Sequence, residues 1–96
     1  MTKQVVSFRL SSNQRVYLTN FILYMDYDHF FKNLLDECRE MVKVIEDEYE
    51  RGKLQSYAFK LEPDTYYRIK ENAKVYGLNA SQFVRRLITA KVRKLC

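Results

Sequence analysis

At 96 residues, 47% of them hydrophobic, the chain is long enough to bury one core and too short for two independent domains. Seventeen Lys and Arg against twelve Asp and Glu give a net charge of +5, which favours acidic partners without singling out nucleic acid. No apolar run approaches the ~18 residues of a membrane span, the N-terminus lacks a secretory apolar segment, and two Gly with one His assemble neither a phosphate loop nor a Ser-His-Asp arrangement. The expectation is a soluble, intracellular protein that is not an enzyme and carries no cofactor, no metal and no membrane contact.

The charge is unevenly placed: +3 over residues 1–25, −5 over 26–52 and +7 over 53–96. The basic ends contain two short alternating segments, Val5-Val6-Ser7-Phe8-Arg9-Leu10 and Ser56-Tyr57-Ala58-Phe59-Lys60-Leu61. Their apolar and polar residues fall in the same places, as in half-buried strands. A lone six-residue strand is unstable, so two matched ones are expected to pair as a two-stranded ribbon. Phe8, Leu10, Phe59 and Leu61 should point inward with Val6 and Tyr57 beside them.

Each strand is followed by two amphipathic helical patterns. Ser11 with Gln14 forms a capping-box signature, so a helix should begin near Ser12 and bury Leu18, Phe21, Ile22 and Met25. Asp26 or Asp28 caps the next, whose stripe of Phe30, Phe31, Leu34, Leu35, Cys38, Met41, Val42, Ile45 and Tyr49 predicts one helix of roughly 24 residues, ~36 Å long. Asp47 and Arg51 form a favourable i, i+4 pair, Glu46 to Glu50 reads as a solvated acidic face, and Gly52 suits the stop. After the second strand, Pro63 fits a first helical turn, with Tyr66, Ile69, Ala73 and Tyr76 inward and Tyr24 and Tyr67 also at the core or its edge. Gly77 ends that helix, and Asn79 with Gln82 caps the last one, burying Phe83, Val84, Leu87, Ile88, Val92 and Leu95. The two cysteines, Cys38 and Cys96, show neither zinc-ligand spacing nor a disulfide framework, and Cys38 reads as plain core. His29 has no partner at ligand spacing and reads as a surface residue.

The strand ending Phe-x-Leu, the helix, the tight turn and the Gly-Leu-Asn-Ala-Ser-Gln-Phe-Val that opens the last helix resemble the ribbon-helix-helix (MetJ/Arc/CopG) DNA-binding family. The resemblance covers residues 56–93, and residues 5–42 with the Gly of the turn missing. Two copies in one chain are similar to the tandem regulators of archaeal filamentous viruses. The fold class implied is α+β, mostly α: two tandem ribbon-helix-helix motifs forming an intramolecular pseudo-dimer, one antiparallel ribbon and four helices. Residues 1–96 form a single domain, with 5–52 the first repeat, including its extended second helix, and 53–96 the second.

The function implied is a sequence-specific double-stranded DNA-binding transcription regulator, a repressor rather than an activator, with the ribbon in the major groove. The base-facing residues would be Val5, Ser7 and Arg9 with Ser56, Ala58 and Lys60. Arg9 and Lys60 suit guanine O6 and N7, the serines either kind of edge, and Ala58 or Val5 a thymine methyl. The same residue types are ordinary on the wet face of any half-buried antiparallel pair. In the family the N-terminus of the second helix grips phosphate, which here falls to Asn79, Ala80 and Ser81. In the first repeat Asp26, Tyr27 and Asp28 stand there, and either the DNA turns away or Lys3, His29 and Lys32 compensate. Arg85, Arg86, Lys91, Arg93 and Lys94 add phosphate contacts or solubility. A monomer is expected, with possible association along DNA. The alternatives are an antitoxin-type autoregulator, against which stands a chain ending at Cys96 without a toxin-wrapping tail, and a protein-interaction module docking through the long helix without binding DNA.

Overall fold

The computed structural model describes residues 2–21, 26–45 and 53–96. Its elements are β1 (Gln4–Leu10), α1 (Ser12–Phe21), α2 (Tyr27–Cys38) continued by a 3-10 segment (Arg39–Val44), β2 (Gln55–Leu61), α3 (Pro63–Val75) and α4 (Ala80–Val92). The described residues are α+β, mostly helical, with four α-helices and one two-stranded antiparallel sheet among them. The expectations for Ile22, Tyr24, Met25, Tyr49, the 46–50 acidic run, the Asp47–Arg51 pair, Gly52 and the side chain of Phe21 fall outside the described residues.

The strands pair in a register that sets Val5 opposite Lys60, Ser7 opposite Ala58 and Arg9 opposite Ser56 on one face. On the other face Val6 meets Phe59 and Phe8 meets Tyr57. Because side chains alternate with a period of two, this register commits Val6, Phe8, Leu10, Phe59 and Leu61 to the interior, where all five are buried. Phe8 and Phe59 stand 5.8 Å apart between ring centroids, and the Phe31 ring of α2 packs edge-on at 5.5 Å from Phe59 and 5.7 Å from Phe8. Helix α2 thereby seals the ribbon through one aromatic cluster.

Helix α4 is the central element, touching α1, α2, α3, β1 and the 3-10 segment. It buries Phe83, Val84, Leu87, Ile88 and Ala90, as its periodicity requires. Val92 and Leu95, expected inward, are instead 47% and 45% exposed, and Leu95 lies beyond the end of α4. Tyr67, expected at the core edge, is likewise exposed at 59%.

The helix boundaries follow the local signals. Ser11 Oγ accepts from the Gln14 N–H at 3.2 Å while Gln14 Oε1 accepts from the Ser11 N–H at 3.1 Å, a reciprocal cap that starts α1. Pro63 occupies the first turn of α3. At its far end Gly77 takes φ +71°, letting the Leu78 N–H reach the Ala73 carbonyl at 2.9 Å and the Gly77 N–H reach that of Lys74 at 3.0 Å. That pair of bonds is the left-handed stop which releases the chain into α4.

Two further expectations are corrected. The second helix does not run on to residue 51: α-helix ends at Cys38, tightens to 3-10 through Val44, and Ile45 is extended. Val42 and Ile45 both stay buried, since a spacing of three fits a 3-10 turn as well as an α-helical stripe. Cys38 is not merely core: it is joined by a disulfide to Cys96, with Cα atoms 5.4 Å apart. Fifty-eight positions separate the two cysteines, and nothing in that spacing signals their meeting in space.

Candidate nucleic-acid interface

The outward face of the ribbon carries all six residues expected there. Val5, Ser7, Arg9, Ser56, Ala58 and Lys60 are each exposed, and none is acidic. The face is small in the middle, where Ser7 lies opposite Ala58, and bears one cation towards each end, Arg9 beside Ser56 and Lys60 beside Val5. Lys60 has no hydrogen-bond or ion-pair partner among the described residues. The Arg9 side chain reaches the Leu54 carbonyl only at 3.5 Å, the outer limit of a hydrogen bond, so its guanidinium is available to a ligand.

The Arg9 backbone, by contrast, is held on both sides. Its N–H donates to Ser81 Oγ at 3.0 Å, and its carbonyl accepts from Arg85 Nη1 at 2.8 Å. Sequence reasoning placed Ser81 with phosphate and Arg85 with phosphate or solvent. The structure buries Arg85 to 5% exposure and uses both side chains to dock α4 against β1. The signal was legible in part: an Arg between Val84 and Leu87 on a helix with so wide an apolar face must find an internal acceptor. Gln14 reinforces the same joint, donating to the Arg85 carbonyl at 3.1 Å.

Around this joint lies a cleft of ≈ 420 Å³ lined by Ser7, Arg9, Tyr66, Asn79, Ala80 and Ser81, among others. Asn79 caps α4 reciprocally with Gln82, Oδ1 accepting from the Gln82 N–H at 2.9 Å and the Asn79 N–H donating to Gln82 Oε1 at 3.0 Å. The N–H groups of Ala80 and Ser81 are left without acceptors among the described residues, at the positive end of a 13-residue helix and on the same side as Arg9.

The corresponding end of α2 is built from carboxylates. Asp26 caps it, Oδ1 accepting from the His29 N–H at 2.7 Å, and Lys3 Nζ closes on Asp26 Oδ2 at 3.0 Å. The His29 N–H, and then Lys3, hold the Asp26 carboxyl below the usual carboxylate range. Asp28 is buried at 4% exposure and accepts from the Glu62 N–H at 2.8 Å, tying α2 to the end of β2 much as Ser81 ties α4 to β1. Burial works to raise the Asp28 pKa, but the Glu62 N–H and Lys32 outweigh it, so the group also lies below its ordinary value. Lys32 bridges Asp28 at 3.2 Å and Glu62 at 3.1 Å, and these partners raise its own pKa, Glu62 first. Thus Lys3 and Lys32, both expected to meet phosphate, are engaged by the carboxylates of their own chain. His29 is exposed. Lys91, expected to add a phosphate contact or only solubility, pairs with Glu37 at 2.9 Å.

Among the described residues no cluster of His, Cys, Asp or Glu is arranged to hold a metal ion, and no helix is long and apolar enough to cross a membrane. No family model matches the chain, and no solved structure matches it. The chain is similar to Uncharacterized protein 29 of Sulfolobus islandicus filamentous virus (isolate Iceland/Hveragerdi), 31% identical over 97 aligned residues that span the whole of both chains. Identity at that level along the full length shows common descent, and the protein belongs to the same family as that viral protein.

Proposed function

We propose that this protein is a sequence-specific double-stranded DNA-binding regulator of transcription that inserts its ribbon into the major groove and acts by occupying a promoter. The observation that carries this reading is the ribbon's outward face: six exposed residues in three cross-strand pairs, small at the centre, cationic towards both ends and free of acid. A two-stranded ribbon fits a groove about 12 Å wide, and Arg and Lys on it suit guanine O6 and N7. The cleft behind Arg9 adds the free amides of α4 as an anion site next to the reading face.

The tandem ribbon-helix-helix reading draws support from the register. Ser7 and Ala58 hold the same place in their strands and pair with one another, so a two-fold relating the halves passes between them. On this reading the chain is its own dimer, like the tandem regulators of archaeal viruses, AvtR among them. Folding then does not depend on protein concentration. The rival in which the second helix docks a partner loses its surface, because Phe30, Phe31, Leu34, Leu35 and Cys38 are all buried in the core.

The test is a titration of wild type, Arg9→Ala and Lys60→Ala against the duplex upstream of the protein's own gene and against random duplex, at several salt concentrations. Groove readout predicts a steep salt slope in wild type. It also predicts selective loss of the specific site in the variants, about 1 to 3 kcal/mol for each bidentate contact removed. Equal weakening on both duplexes makes the two residues phosphate contacts, and absence of duplex binding by wild type refutes the function.

A further inference from the structure

The two halves equip the start of their last helix differently. In the second repeat the cleft at the amino end of α4 is walled by Tyr66, five positions beyond Leu61, and free amides face it. In the first repeat Asp26 and Asp28 occupy the equivalent end of α2, and Lys3 and Lys32 are held by them. Neither the amides at that end of α2 nor those lysines offer an anion a net positive site.

Five positions beyond Leu10, where the second repeat has Tyr66, stands Arg15. Its guanidinium carbon lies 5.2 Å from the ring centroid of Tyr57, 5.7 Å from that of Phe59 and 5.8 Å from that of Tyr27. Nη1 donates to the Tyr27 hydroxyl at 3.1 Å, and Tyr27 is the first residue of α2. The group is half-buried and pairs with no carboxylate among the described residues. Three aromatic rings and one hydroxyl thus fix a charged fork beside the helix end whose own anion site is closed, while most of its five N–H donors keep no partner among the described residues. A guanidinium so held has little side-chain entropy left to lose on meeting a phosphate, and its planar fork matches two phosphate oxygens.

We propose that Arg15, rather than the amino end of α2, is the phosphate-binding group of the first repeat. The inference rests on the DNA-binding reading above and assigns to it a residue outside both the ribbon and the helix termini.

The experiment compares wild type and Arg15→Met on the upstream duplex, between about 50 and 200 mM salt, with melting curves taken in parallel. Loss of one phosphate contact makes the log–log salt slope about 0.9 shallower, so the wild-type advantage shrinks about threefold across that range. A set of duplexes each carrying one uncharged methylphosphonate then locates the contact: one position on a single flank weakens wild type and leaves Arg15→Met indifferent. Unchanged affinity and slope with only a lower melting temperature would make Arg15 a packing group and overturn the proposal, with DNA binding itself intact. Failure of wild type to bind duplex removes this inference together with the function it rests on. If Arg15→Met melts below the assay temperature, Arg15→Lys is run on the methylphosphonate set. A smaller penalty at that one position supports the fork, and a penalty equal to wild type at every position overturns it.

Discussion

Replacing Cys96 with Ser removes the Cys38–Cys96 bridge, and its cost follows from the length of chain the bridge encloses. With a sequence separation of 58 between the cysteines, the loop entropy withheld from the unfolded chain corresponds to roughly 4 kcal/mol at 25 °C. Residual structure in the unfolded chain reduces that figure, and about 2 kcal/mol is a reasonable floor. For a domain of this size each kcal/mol moves the melting temperature by about 4 to 8 °C, so the variant should melt at least ~8 °C lower. Cys96 is the better position to change because it is exposed, whereas Cys38 is fully buried and a hydroxyl there would add a desolvation cost. The bridge leaves α2 at its carboxyl end, about eleven residues or ~16 Å along the axis from the end that faces the ribbon. On the proposed function, DNA affinity measured well below the melting temperature should therefore not change. Thermal melts followed by circular dichroism, with thiols titrated in the unreduced protein, check both parts. A shift under about 3 °C, less than half the floor, would refute the entropy reasoning. Two free thiols in the native unreduced chain would refute the bridge.

Acid should destabilise the fold through Asp28 and Asp26. Both have folded pKa values below the ordinary 3.8, so their contribution is complete above that value and is lost as pH falls through the depressed folded values. Asp28→Asn should cost about 2 kcal/mol at neutral pH, in the range for a hydrogen bond to a charged acceptor. Its stability should also vary less below about pH 4 than that of wild type. Urea titrations at neutral and acid pH measure both, and equal acid sensitivity in the two proteins would place the titrating group elsewhere. Gly77→Ala should cost about 1 kcal/mol in the same assay, wholly from the backbone. Its φ of +71° penalises a Cβ, while nothing lies within 4 Å of where that Cβ would sit. A cost of several kcal/mol would mean that the site is crowded after all.

Strand alternation, caps and the Gly77 stop were all readable because each is a local contract between a side chain and its own backbone. The outward sextet on the ribbon was readable for the same reason: once Phe8 and Phe59 face the core, period two leaves the other residues no choice. What escaped is non-local. The end of α2 at Cys38 was hidden because Met41, Val42 and Ile45 continue an apolar rhythm that α and 3-10 geometry share. The Cys38–Cys96 bridge and the docking of Arg85 on the Arg9 carbonyl depend on segments more than fifty residues apart, and no periodicity reports such meetings. The engagement of Lys3 by Asp26 and of Lys32 by Asp28 and Glu62 was equally out of reach, since a lysine's number in the chain does not say which carboxylate it will find.

On the proposed function, having both repeats in one chain explains how Asp26 and Asp28 can be tolerated. In a homodimer every residue appears twice, so a carboxylate at the start of the second helix would close both flanking anion sites at once. Here Asp26 and Asp28 close one end, and the other keeps the amides of Ala80 and Ser81 beside Arg9. The ribbon is polarised the same way: the pair next to the open cleft is Arg9 with Ser56, and the pair towards the carboxylate end is Val5 with Lys60. A reader with unlike ends gains nothing from a perfect palindrome. It should prefer a site whose two halves differ, guanine under Arg9 in one and under Lys60 in the other, with different neighbours. That asymmetry is a physical consequence of the unlike residues at the two ends of the ribbon, whatever the site's sequence proves to be.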